Sequence, residues 1–143
     1  MMADLLRIDG TAAALLRHMN QLAEGLKERT MRFAVLIAHF CRTLPHTWEG
    51  RHVSDQLFRS GTGVAANYHA TCRARSRRNV ISKMGVVVEE SDESAFWLRF
   101  ARRMGMADGP ELGALLSEAE ELLAIFAASA KTAAANHQSL NRQ

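Results

Sequence analysis

Residues 110–136 read PELGALLSEAEELLAIFAASAKTAAAN, and this stretch decides the fold class. Leu112, Leu115, Leu116, Ala119, Leu122, Leu123, Phe126, Ala130 and Ala133 recur at intervals of three and four, placing one apolar stripe on a helix of 3.6-residue period. Twenty-seven residues span about 40 Å as a helix. A stripe that long has to be buried against other helices of similar length. Pro110 suits the first turn, where its missing N–H costs nothing.

Working back from Pro110, Asp108-Gly109-Pro110 and Gly105 punctuate the chain, and the segment before them predicts a third helix from Ser76, a plausible N-cap, to about Met106. Val80, Ile81, Met84, Val87, Val88, Ala95 and Leu98 form its inner stripe, widened by Phe96, Trp97, Phe100 and Met104. A second helix is expected over about Arg51–Arg75. Its middle, RSGTGVAAN, carries two glycines and a threonine at a propensity cost of about 2 kcal/mol, which marks a close helix contact or a bend. Phe33, Leu36, Ile37, Phe40 and Leu44 predict a first helix from Leu26 to Leu44, closed by Pro45. In the first 25 residues, Leu15, Leu16, Met19 and Leu22 fall on one side between Gly10 and Gly25. The expected organisation is therefore an N-terminal arm or short helix (1–25), an all-α, antiparallel up-down-up-down four-helix bundle (26–136), and a frayed tail (137–143).

Bulk properties agree with one globular domain. The chain has 143 residues, 48% hydrophobic and 23% charged, with two prolines. No apolar run approaches the length of a membrane-spanning helix. The N-terminus carries Asp4 and Asp9 and lacks the pattern of a signal peptide. Cys41 and Cys72 form no CxxC. In an antiparallel hairpin Cys41 falls beside Ser54, far from Cys72, so both thiols read as small core residues and a cytoplasmic location is expected.

Catalytic and metal chemistry find little footing. A bundle di-metal centre needs Glu-x-x-His on two helices. The single instance here, Glu49 to His52, includes Gly50 and sits at a turn. No Ser, Cys or His lies on a glycine-rich elbow that would present a nucleophile. The expectation is a protein with no enzymatic activity, no cofactor and no metal.

Charge is where the sequence is informative. Between Arg51 and Lys83 seven cations (Arg51, Arg59, Arg73, Arg75, Arg77, Arg78, Lys83) stand against one acid, Asp55, so the segment carries 7 − 1 = +6 in a chain of net charge +3. Arg77 and Arg78 occupy the first turn of the third helix, where the helix dipole opposes cations by about 0.3–1 kcal/mol each. Two readings follow: a solubilising rim, or a surface for nucleic-acid phosphates or an acidic partner. Phosphate contact requires no base readout. Glu89, Glu90, Asp92 and Glu93 crowd the third helix, either as a solvated face or as partners of second-helix arginines such as Arg59. Phe96, Trp97 and Phe100 exceed what one bundle core absorbs, and are expected at an oligomer interface.

The segment from Leu44 to Arg103 resembles the family of four-helix bundle proteins known as 23S rRNA-intervening sequence proteins. The likeness rests on Arg59-Ser60-Gly61-Thr62-Gly63-Val64-Ala65-Ala66-Asn67, then Glu93, Ser94, Trp97 and Leu98, then Ala128, Lys131, Thr132, Ala133 and Asn136. It runs from about Leu26 to Asn136. Gly63 stands where the family usually has serine or another small residue. Asn79 stands where an acid often follows the third helix's N-cap, which leaves the end holding Arg77 and Arg78 more basic. The resemblance implies a homo-oligomer, a pentamer, with helices packed between subunits and no catalytic residues. A related group serves as the accessory protein of diversity-generating retroelements, which binds nucleic acid and a reverse transcriptase. RNA or DNA, or a protein, is thus the partner expected beyond self-association.

Overall fold

The computed structural model describes residues 2–142, with side chains from residue 12 onward. Four helices follow in order: α1 (Met2–Cys41), α2 (Trp48–Cys72), α3 (Arg77–Arg103) and α4 (Pro110–Leu140). Together they hold 86% of the chain, and no strand occurs among the described residues.

Contacts between the helices fix their directions. Cys41 and Ser54 exchange hydrogen bonds at one end of α1 and α2, and His69 meets the Lys27 carbonyl at the other. Ser60 and Arg59 of α2 meet Ser94 and Glu93 of α3, while His52 packs on Trp97. Arg99 of α3 reaches Glu120 of α4, and Arg29 of α1 reaches Glu118. Numbers rise along one helix as they fall along its neighbour, the up-down-up-down pattern the stripes demand.

The core gathers the predicted stripes. Ile37, Leu57, Val64, Val87, Leu98, Leu122 and Phe126 are fully buried, and Phe33, Phe40 and Leu112 nearly so. Small residues set the closest approaches. A Cβ at Gly61 would lie 2.7 Å from Ile37 Cγ2, so α1 and α2 meet there only because the side chain is missing. Beside it, the Ser60 and Ser94 hydroxyls share a hydrogen bond of 3.0 Å with no exposure to solvent.

Boundaries differ from expectation where local chemistry was overlooked. The second helix starts at Trp48, since the Thr47 hydroxyl accepts from the Gly50 N–H at 3.1 Å and caps it. The third stops at Arg103: Gly105 adopts φ +66°, a left-handed conformation that lets Met106 N–H return to the Ala101 carbonyl at 3.0 Å. Ser76 caps α3 as predicted. The first helix ends at Cys41 and the chain turns over Arg42–Leu44. Among the described residues the expected arm or short helix is not a separate element: α1 runs unbroken through Gly10 and Gly25, so residues 2–25 form its N-terminal part. The tail is helical as far as Leu140. Cys41 is buried as expected, but Cys72 is exposed, because it ends α2 on the outward side.

Candidate nucleic-acid interface

The turn joining α2 to α3 concentrates positive charge. Arg73 follows α2, Arg75 lies in the turn, and Arg77 and Arg78 open α3; all four are exposed. Ser76 accepts from the Asn79 N–H at 3.1 Å, which satisfies one N-terminal donor and leaves no acid in the first turn of α3. Among the described residues none of these four guanidinium groups forms an ion pair with a carboxylate. Lys83, half-buried, follows in the second turn of α3. Four uncompensated cations within six positions form a local positive field, which the fold places in the turn and the first turn of α3.

The other predicted cations do not join them. Arg51 stands in the first turn of α2 and donates to the His46 carbonyl at 2.7 Å. Twenty-two residues of helix separate it from Arg73, about 33 Å. It belongs to the opposite pole. Arg59, midway, donates to Glu93 and lies 3.4 Å from Glu90 Oε1, with Gln56 beside it at 3.3 Å. These acids satisfy it, so the pairing of acidic helix and Arg59 is the reading that holds.

The motif around Arg59 is therefore a seam between helices. Glu90 folds over Gly63, whose missing Cβ would come within 2.9 Å of its carboxyl carbon. Its second oxygen, Oε2, is buried without a hydrogen-bond partner. That burial pushes the Glu90 carboxyl above the usual carboxylate range, and the Arg59 charge only partly offsets it.

The aromatic residues divide in the same way. Phe96 is 53% exposed and stacks on Phe100 at 6.3 Å. Trp97, expected to be exposed, is instead half-buried against the core: its indole N–H donates to Glu93 at 3.3 Å and its ring meets His52 edge-on. Phe96 and Phe100 are the outward members. Trp48, missed as a surface residue, is 74% exposed at the start of α2; the Thr47 cap that places it there was the available signal.

One further feature was invisible in the sequence. Arg29 of α1 grips Glu118 of α4 through two hydrogen bonds, at 2.6 and 2.8 Å, and reaches Glu121 at 2.9 Å. Arg29 and Glu118 border a half-open groove of about 430 Å³ between α1 and α4, floored by Phe33 and Leu115. Among the described residues no group of three or more His, Cys, Asp or Glu is placed to hold a metal ion, and no helix is long and apolar enough to cross a membrane.

Comparison with known proteins agrees with this architecture. A model of the family described as 23S rRNA-intervening sequence protein matches residues 25–128. The chain is similar to the crystal structure of a protein of unknown function, of the S23 ribosomal protein family, from Bacteroides thetaiotaomicron. The two share 24% identity and a TM-score of 0.70, over 76% of this chain and 97% of that one. At that identity the likeness speaks to fold. No curated protein matches the chain.

Proposed function

This chain belongs to the 23S rRNA-intervening sequence protein family, and from that premise we propose that it is a non-enzymatic, oligomeric cytoplasmic bundle that binds RNA or DNA by its phosphates. The observation that carries the reading is the α2–α3 turn, where Arg73, Arg75, Arg77 and Arg78 are exposed and unpaired among the described residues. Cations placed against a helix dipole cost the fold stability, and a phosphate would offset that cost while releasing condensed counter-ions. Lys83 supports the same surface from α3. Arg59 and Arg51 take no part in it: the first is held by Glu93 and Glu90, the second lies at the far pole.

The contacts are to backbone, so binding is expected to be broad in sequence. Self-association, five subunits on the family resemblance, would repeat the turn around a ring and convert weak contacts into avidity. Phe96 and Phe100, stacked and outward, are the proposed subunit contacts, with Trp97 buttressing them from behind.

The test is binding of the full chain to a mixed-sequence RNA and a DNA duplex, compared with the quadruple variant R73A/R75A/R77A/R78A and with R51A. The quadruple variant is expected to lose at least tenfold in affinity, and R51A to stay within twofold. Equal binding by the quadruple variant would overturn the assignment. A second reading, a protein-interaction scaffold with no nucleic-acid role, is favoured by the exposed Phe96–Phe100 stack alone. It predicts no RNA or DNA binding even at low salt.

A further inference from the structure

One contact across the core sets the C-terminal part of α4 level with the α2–α3 turn. The rings of Tyr68 in α2 and Phe126 in α4 meet at 5.0 Å between centroids. The two helices run in the same direction, each being antiparallel to the α3 that lies between them in the chain. Arg73 follows Tyr68 by five residues, and Lys131 follows Phe126 by five. Each therefore lies about 7.5 Å further towards the same end, at the helical rise. Lys131 is exposed and forms no ion pair among the described residues. Its distance along the chain hides it from a count of local charge.

This end of the molecule differs from the rest in charge and in rings. Residues 10–23, 59–88 and 122–143 hold no Asp or Glu, and half of the chain's 18 Lys and Arg. They are the parts of the four helices that run towards the turn, with α1 fixed there by the Lys27–His69 contact. The same stretches contain Tyr68 and Phe126 as their only Phe, Trp or Tyr, and these are 6% and 0% exposed. The exposed rings are Trp48, Phe58, Phe96 and Phe100. All stand at least 15 residues from the arginine cluster along their helices, about 22 Å.

We propose that the partner of this end is a nucleic-acid double helix held by both of its strands, Arg73–Arg78 on one row of phosphates and Lys131 on the other. The inference rests on the phosphate-binding reading above and names its substrate class. Helices α2 and α4 sit diagonally, each packed on α1 or α3 and reaching the other only through core side chains. Neighbouring axes 8–10 Å apart put diagonal ones about 11–14 Å apart. The major groove of a DNA duplex, about 12 Å wide, sets two phosphate rows at a comparable spacing. A single strand presents one row, and proteins that hold one without sequence preference add aromatic rings on which its bases stack. No such ring stands beside these cations. A duplex needs none, because its bases are already stacked, and duplex RNA is likewise held by shape and backbone.

The test is fluorescence anisotropy of the full chain at low salt with a DNA duplex, an RNA duplex of the same sequence, and the separated strands of each, the sequence being chosen free of self-pairing. At least one duplex is expected to bind tenfold tighter than its own strands, and which one identifies the helix as DNA or RNA. K131A should weaken duplex binding at least threefold and K131E at least tenfold, both leaving single strands within twofold. R51A at the opposite pole should match wild type on every probe. Thermal midpoints check that each variant keeps the bundle. Strands bound as tightly as duplexes would overturn the proposal, as would wild-type duplex affinity in K131E. Either result leaves the Arg73–Arg78 reading standing if R73A/R75A/R77A/R78A still loses affinity. A wild-type chain that binds none of the probes overturns that reading and this one together.

Discussion

Gly61 and Gly63 stand two residues apart in α2 and meet opposite kinds of neighbour. A methyl group at 61 would lie 2.7–3.0 Å from three atoms of Ile37, which is itself fully buried and has nowhere to go. A methyl group at 63 would meet only the end of the Glu90 side chain, which can swing outward. Alanine gains about 1 kcal/mol of helix propensity at either site. Overpacking costs about 1–3 kcal/mol where the neighbour cannot yield. Gly61→Ala is thus expected to destabilise by up to about 2 kcal/mol, and Gly63→Ala to be neutral or stabilising, in paired denaturant titrations. Glu90 supplies a second residue-scale prediction. Its folded carboxyl titrates above the ordinary range, so ionisation removes stability as pH rises through that value. Thermal midpoints should therefore show Glu90→Gln gaining on wild type between pH 4 and pH 7.5; a pH-independent difference would contradict this. The sequence announced that 59–67 was a contact surface, because glycines inside a helix need a reason. Which neighbour each glycine admits depends on packing between helices, and no local pattern carries that.

Among the elements, α1 departs furthest from what its sequence suggested. Gly10 and Gly25 looked like brackets around a separate arm, yet a Cβ at Gly25 would meet nothing within 4 Å. A glycine there costs only propensity, and the good helix formers around it carry the helix through. The apolar side of residues 15–22 was legible; its continuity with the core stripe was not, since that requires one unbroken helix. The seam of α1 with α4 is bolted by Arg29 and Glu118, whose numbers lie 89 apart. Hydrogen bonds from Arg29 hold the Glu118 carboxyl below the usual carboxylate range. The stabilisation is fully present above the ordinary value and is lost as pH falls through the lowered one. Arg29→Ala should cost about 1 kcal/mol near neutral pH, as a partly exposed bidentate pair does. That deficit should shrink as pH falls below the ordinary carboxylate range, and a deficit that stays constant in acid would assign it to lost packing instead.

At the scale of the whole molecule, the sequence displayed an excess of positive charge over 51–83, and the fold divides it. Up-down topology sends Arg51 to one pole and Arg73–Arg78 to the other, while Arg59 is taken up by the acidic face of α3. The cluster at the turn was readable because four arginines there lie within six residues of sequence and stay together in any conformation. Arg51 was not separable from them, because a count along the chain ignores the 33 Å of helix between. The most direct measurement is the affinity of the full chain for duplex DNA and single-stranded RNA across a salt series, beside R73A/R75A/R77A/R78A. Wild type should bind at low salt and weaken steeply as salt rises. The slope of log affinity against log salt should be shallower in the variant by about 3 for four phosphate contacts, at roughly 0.7–0.9 per contact. A slope the variant leaves unchanged would place the phosphates elsewhere on the molecule. Absence of wild-type binding at low salt would contradict a nucleic-acid role altogether.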